Sequence, residues 1–287
     1  MKECKLLGLI TIYNPDTKAV ISNILRFIDG VDQLIVWDNT PSDQIKQQMM
    51  PCLAEWEEKI VWHGTGENTF IAPAINYAWQ WGQARQYDLL LVMDQDSQFE
   101  DFQAYRREVE EHYLANEVWV YTPYIHGLDV WQKRTTTAPR RLFINSGTII
   151  PFTMLNAING VDETFLLDAL DHDTALRILK RGYKIVSLTA HDMNHTMGQP
   201  HRSSFLGILT PYYPPERIHS IVRSHIINYR KNRQWMTAYE KRRFFKEFIF
   251  WTLFRILFIE RGKRQRLKMF RKGVSEGLKF NLSLTKP

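Results

Sequence analysis

The chain has 287 residues, room for one large α/β domain or a domain with a helical extension, and its 44% hydrophobic and 24% charged residues exclude a disordered chain. Two cysteines, Cys4 and Cys52, exclude a disulfide framework and a cysteine-rich zinc site and suit a reducing compartment. The net charge of +6 is uneven: Glu240 to Pro287 holds fourteen Lys/Arg against four Asp/Glu, a surplus of ten, so residues 1–239 carry −4.

The opening Met1 to Lys5 leads straight into Leu6–Ile12, an apolar run too short for a signal-peptide core, which reads as a first buried strand. It closes on Tyr13-Asn14-Pro15-Asp16, a turn and helix-start signal, and Lys18–Ile28 then shows helical apolar spacing. Gln33–Trp37 is a second strand, ending at Asp38-Asn39-Thr40-Pro41-Ser42, and Lys59–His63 a third. Residues 71–86 read as a helix, and Asp88–Met93 as a fourth, nearly all-apolar strand ending at Asp94-Gln95-Asp96-Ser97. Apolar strands alternating with helices imply a mostly parallel sheet covered on both faces, in which ligands bind beyond the carboxyl ends of the strands. The polar clusters Thr11–Asn14, Asp38-Asn39 and Asp94–Ser97 fall at those ends and point to a nucleotide site.

Farther on, Phe102–Leu114 reads as an exposed helix, Val118–Pro123 as a strand, and Leu142–Ile150 as a strand containing Asn145-Ser146-Gly147. A helix over Asp173–Arg181 closes on Gly182, and Lys184–Leu188 is the last strand. Residues 196–215 have the composition of a long loop or lid, and the pattern is helical after Glu216.

Two carboxylates flanking one residue after a buried strand, Asp94 and Asp96, suit Mg²⁺ or Mn²⁺, hard cations that bridge to phosphate oxygens and neutralise a departing diphosphate. The second acidic stretch, Asp162 to Asp173, offers Asp171 as a general base toward an acceptor hydroxyl, with Asp173 in the first helical turn; either residue could instead cap the helix. His191 and His195, beyond the last strand, could complete the metal sphere.

The ordered set of segments resembles the inverting family-two glycosyltransferases of GT-A fold, specifically the bacterial rhamnosyltransferase branch. The matching pieces are Thr11-Ile12-Tyr13-Asn14-Pro15, Asp38-Asn39-Thr40-Pro41-Ser42, Asn68 with Ile71-Ala72 and Asn76, and Asp94-Gln95-Asp96-Ser97. Asn145-Ser146-Gly147, Asp162-Glu163 leading to Asp171-x-Asp173-x-x-x-Arg177, His195-x-x-Gly198, Arg223 and Lys272 to Leu278 complete the series over nearly the whole chain.

This resemblance implies a Rossmann-like GT-A domain over residues 1–215 and a helical, basic, membrane-facing region over 216–287. It implies that Thr11, Tyr13 and Asp38 line the base and ribose pocket with Asn76 nearby, that Asp94 faces the ribose or metal, and that Asp96 is the direct metal ligand. Asn145, Ser146, Gly147 and Asp173 would border the transferred sugar or acceptor, Asp171 would be the catalytic base, and His195 a late metal or diphosphate ligand. The implied donor is dTDP-L-rhamnose, with a UDP-hexose or a non-catalytic sugar-nucleotide binder as alternatives. The implied products are O-antigen, capsule or related bacterial surface polysaccharides. The chain departs from the pattern at Phe70 and near Ala78, where the family has glycine, at Asp173, where it has glutamate, and at His219-Ser220 and Ser224.

In the tail, Phe244 to Ile259 is apolar but interrupted by Lys246, Glu247 and Arg255, short of the roughly 20 residues a spanning helix needs. The basic cluster Arg261, Lys263, Arg264, Arg266, Lys268, Arg271 and Lys272 follows. Together they read as an interfacial helix on anionic lipid, at the cytoplasmic face of the bacterial membrane, fitting a lipid-linked saccharide acceptor. Phe248, Phe250, Trp251 and Phe254 also suit a homodimer interface. The turn after Ile12, Tyr13-Asn14-Pro15-Asp16, holds no glycine, which argues against a nucleotidyltransferase; no zinc spacing or RNA-recognition signature supports nucleic-acid binding.

Overall fold

The computed structural model describes residues 4–127, 129, 134, 137–165, 168–195, 200–202, 209–211 and 213–287. The chain divides into two compact units, Met1–Val161 with Arg177–His195, and Asp162–Leu176 with Thr196–Pro287.

The first unit carries strands β1 (Leu6–Ile12), β2 (Gln33–Asp38), β3 (Ile60–Gly64), β4 (Leu89–Asp94), β5 (Ser97–Phe99), β6 (Val120–Ile125), β7 (Thr137–Arg140), β8 (Thr148–Pro151) and β9 (Ile185–His195). They form one sheet in the order β3-β2-β1-β4-β8-β6-β9-β5, with β7 also paired to β9. The expected parallel core is present: β1 runs parallel to both β2 and β4, and β2 to β3. Beyond β4 the sheet is mixed, because β8 enters antiparallel to β4 and to β6. The chain leaves β1 toward β2 on one side and β4 continues on the other, so β1 and β4 mark the topological switch point, beyond whose strand ends open α/β sheets bind ligands.

The helices follow local signals. Asp16 caps α1 (Thr17–Leu25) by accepting from the amides of Lys18 and Ala19, as the Asn-Pro-Asp turn predicts. After α2 (Gln44–Met49), a 3₁₀ stretch Met50–Lys59 leads into β3, and α3 (Ala72–Gln83) lies against β1 and β4. Asp101 caps α4 (Phe102–Leu114), whose Phe102, Tyr105 and Val109 join Leu6, Ile10, Val20, Ile24 and Met93 in the main core. Helix α5 (Phe152–Ala157) follows β8, and α6 (Leu170–Lys180) ends before Gly182, as expected.

Three sequence expectations are corrected. The last strand does not stop at Leu188: β9 runs to His195, because β6, β7 and β5 all pair with it and offset its polar side chains. Asn145-Ser146-Gly147 is a turn before β8 rather than part of a strand, since Gly147 has φ +75° and an extended residue there is impossible. Helix α6 starts at Leu170, so Asp171 lies inside its first turn. Much of the expected loop over 196–215 lies outside the described residues, but Pro200–Arg202 (β10) and Leu209–Pro211 (β11) pair antiparallel.

In the second unit, α7 (Pro215–Asn232) packs against α10 (Lys263–Lys279). The approach is close enough that a Cβ on Gly273 would lie 2.8 Å from the His219 carbonyl oxygen, and one on Gly277 3.0 Å from that of Arg223. Between them, α8 (Ala238–Arg243) begins at a Thr237–Glu240 capping box. It continues through π-helical Phe244–Trp251, α9 (Thr252–Phe254) and π-helical Arg255–Ile259. Ile218, Val222, Ile226, Phe244, Ile256 and Phe270 form the core of this unit.

Candidate functional site

The carboxyl ends of the parallel strands gather the residues that the sequence singled out. Thr11 is in register with Trp37 on one side and Asp94 on the other, and Ile12 is in register with Asp38. Side chains alternate across a sheet, so Thr11 and Asp94 share one pleat and Asp38 lies on the other. The hydroxyl of Thr11 is buried without a hydrogen-bond partner among the described residues. Burial pushes the Asp38 carboxyl above its ordinary value, although the Thr40 amide and hydroxyl and Trp62 oppose that rise. Oδ1 of Asp38 accepts from the Thr40 amide at 2.9 Å.

Asp94, Asp96 and His195 converge, with one candidate ligand atom from each lying within 4.8 Å of the others. Two elements bring this about. Asp94 ends β4, while Ser97 of β5 pairs in register with His195 at the end of β9, so the acidic turn and the imidazole meet across an antiparallel ladder. Nδ1 of His195 is 3.5 Å from Asp96 Oδ1 and 2.7 Å from Ser97 Oγ. The Ser146 hydroxyl donates to Ser97 Oγ at 2.7 Å and accepts from the Asp94 amide at 3.1 Å. The tautomer that donates from Nδ1 to Ser97 leaves Nε2 its lone pair, the arrangement by which outer partners orient a metal-ligating histidine. Burial lowers the His195 pKa and the Asp96 charge opposes it. Carboxylate oxygens with one imidazole are a fitting donor set for Mn²⁺ or Mg²⁺.

Gln95, between the two aspartates, holds the turn. Its Oε1 accepts from the Tyr13 amide at 2.8 Å, its Nε2 donates to the Tyr13 carbonyl at 3.3 Å, and its own carbonyl accepts from Asn23 at 2.8 Å. The Tyr13 ring is exposed beside this clamp.

No family model matches the chain. It is 22% identical over 245 residues to dTDP-rhamnosyl transferase RfbF of Shigella flexneri, covering 79% of this chain and 80% of that one. Among solved structures, mannosyltransferase PcManGT from Pyrobaculum calidifontis, in complex with GDP-Man and Mn²⁺, matches 98% of this chain and 77% of its own at TM-score 0.59 and 12% identity. The fold is GT-A. GalNAc-T7, solved with UDP, GalNAc and Mn²⁺, matches 85% of this chain at TM-score 0.57 and 10% identity, and the chain spans 55% of its length.

On this GT-A framework the other expected site residues separate. Gly147 carries the turn that presents Ser146, with Met193 Sδ 2.6 Å from where a Cβ would stand, and Asn145 is half-buried at its start. Asn76 is buried, its side-chain amide clasping the Val161 backbone at 3.1 and 2.8 Å. His191 pairs with Glu108 at 2.6 Å and takes no part in the cluster. Phe70, where the sequence departs from glycine, has φ +64°, the left-handed conformation that glycine adopts without strain.

Asp171 and Asp173 belong to the second unit. Asp171 is half-buried in the first turn of α6 and accepts from the His172 amide at 2.8 Å. Asp173 is fully buried, 2.7 Å from Lys231 Nζ and 2.8 Å from Asn232 Nδ2. Lys231 also pairs with Asp162 at 2.9 Å, so Asp173 shares one cation with a second buried carboxylate. Burial would raise the Asp162 pKa, but the Lys231 hydrogen bond and charge bring it below its ordinary value.

The sequence reading passed over Asp168. Its Oδ2 is buried without a hydrogen-bond partner among the described residues, and its Oδ1 is 3.5 Å from Arg217. Burial pushes this carboxyl up to about 6, with Arg217 opposing and the Asp171 charge reinforcing. Ala169, between Asp168 and α6, has φ +67°, a strained turn of the kind that clusters at functional sites. Only the acidic run from Asp162 to Asp173 signalled this in the sequence.

Proposed function

We propose that the chain is an inverting glycosyltransferase that moves L-rhamnose from dTDP-L-rhamnose to a saccharide acceptor, lipid-linked, in bacterial surface polysaccharide synthesis. The observation that carries the reading is the Asp94–Asp96–His195 cluster at the switch point of a GT-A sheet. The similarity to the dTDP-rhamnosyl transferase of Shigella flexneri supports the donor. A UDP-hexose is the alternative, since GalNAc-T7, of similar fold, was solved with UDP.

In this reading the donor occupies the strand ends, with Thr11, Tyr13 and Asp38 toward base and ribose. Asp94, Asp96 and His195 would hold Mn²⁺ or Mg²⁺, which supplies charge neutralisation for the diphosphate. Asn145, Ser146 and Gly147 border the transferred sugar. The Asp171 carboxylate takes the proton of the acceptor hydroxyl. That oxygen bonds to the anomeric carbon from the face opposite the nucleoside diphosphate, whose bond to the sugar breaks, so the anomeric configuration inverts. The nucleotide-sugar region is assigned to residues 1–215 and the helical extension to 216–287.

A thermal-shift series with dTDP-L-rhamnose, UDP-glucose and UDP-GlcNAc, each with and without Mn²⁺, tests the reading. Ligands of the folded state raise its midpoint by mass action. A Mn²⁺-dependent rise with dTDP-L-rhamnose that disappears in Asp96→Ala is expected. A rise with a UDP-sugar alone changes the donor, and no rise with any of them removes the reading.

A further inference from the structure

Segment 244–259 divides by exposure. Phe244 and Ile256 enter the core of the second unit, whereas Phe245, Phe250, Trp251, Leu257 and Phe258 face outward. Phe250 is 65% exposed and Phe258 59%, values that a folded chain avoids at neighbouring aromatics unless the patch has a partner. The rings form one ladder: Phe250 and Phe254 are 6.4 Å apart, Phe254 and Phe258 4.9 Å, and Trp251 stacks on Phe254 at 5.3 Å.

Basic side chains bracket the ladder. Arg242 and Lys246 precede it, and Arg261, Lys263 and Arg264 follow, all exposed. The nearby acids are already engaged, Glu247 by Arg243 at 2.8 Å and Glu260 by Arg255 and Arg266. Arg255 and Arg266 are buried in that network, so Arg266 drops out of the basic surface that the sequence suggested. Among the described residues, no helix is long and apolar enough to cross a membrane.

An exposed aromatic band between exposed cations fits a surface that is apolar inside and anionic at its boundary. A second copy of the chain fits less well, because a two-fold interface would bring like charges to the same ladder. We propose that this face docks on an anionic lipid bilayer, with Phe250, Phe254, Phe258 and Trp251 at the boundary of headgroups and acyl chains and Arg261, Lys263 and Arg264 on the headgroups. The inference does not rest on the glycosyltransfer reading.

The test is flotation of the full chain with vesicles of phosphatidylcholine alone and with phosphatidylglycerol added. The chain should float with the anionic vesicles only and be released as salt rises. Phe250→Glu/Phe258→Glu and Lys263→Glu/Arg264→Glu should each weaken partition by on the order of tenfold or more, with unchanged circular dichroism and melting. Failure of the wild type to float with anionic vesicles overturns the proposal, as does wild-type flotation by both variants. A third contrary result is a dimer in solution that Phe250→Glu/Phe258→Glu dissociates while leaving flotation intact, which assigns the ladder to self-association.

Discussion

Ser97 Oγ lies 2.7 Å from Nδ1 of His195, and the two residues face each other in register across β5 and β9. If Nδ1 of His195 donates to this serine, Nε2 keeps the lone pair that a metal would take. Ser97→Ala should therefore weaken Mn²⁺ binding about tenfold or more, the usual cost of losing an outer partner of a ligating histidine. Mn²⁺ titration followed by calorimetry, with melting as a control, checks it. Wild-type affinity in a folded variant would remove Ser97 from the site.

Asp171→Asn keeps the shape of the first turn of α6 but removes the proposed base. Transfer should fall by a factor on the order of 10² to 10⁴, with donor affinity held. Parallel measurement of turnover and of the nucleotide-sugar thermal shift separates the two effects. Turnover within a few-fold of the wild type would take the role from Asp171.

Lys231 is the cation shared by two buried carboxylates, Asp162 and Asp173. Lys231→Met removes the charge they share and should cost about 3–5 kcal/mol of stability, read by urea unfolding. The depressed Asp162 carboxyl gives the sign with pH: its contribution is present above the unfolded pKa and is lost as pH falls through the folded one. An unchanged unfolding midpoint in Lys231→Met would show that the network contributes nothing net.

Asp168 has the opposite sign. Its folded carboxyl, pushed up to about 6, binds a proton more tightly than the unfolded chain does. The stability this contributes is full below the unfolded pKa of about 4 and is lost as pH rises through about 6. Asp168→Asn removes the dependence and should be more stable than the wild type at pH above 7, by about 1–2 kcal/mol after allowing for partial solvent access. Melting curves across that range decide it; parallel curves for the two proteins would mean that Asp168 does not titrate there.

The sequence alone determined the parallel core and the acidic turn. Leu6–Ile12 and Leu89–Asp94 are apolar enough to be buried on both faces, and a chain that buries such strands must leave its polar residues at their ends. Asp16 and Gly182 announced helix boundaries because caps are local chemistry. The glycines of the Gly273 to Gly277 stretch and His219, a departure from the family pattern, were legible only as letters. In the fold they set the close crossing of α7 and α10 and a 2.7 Å pair with Glu276.

What only the tertiary structure decided is which polar residues meet. His191 and His195 are four residues apart on one strand, yet one pairs with Glu108 and the other joins Asp94 and Asp96, because β5 returns antiparallel onto the end of β9. Asp171 and Asp173 are two apart on one helix, yet the 100° turn per residue leaves one half-buried and buries the other against Lys231. Period and burial are written in the local pattern of a chain. Long-range pairing is set by contacts between residues about 100 positions apart, such as Ser97 and His195, and no local pattern encodes those.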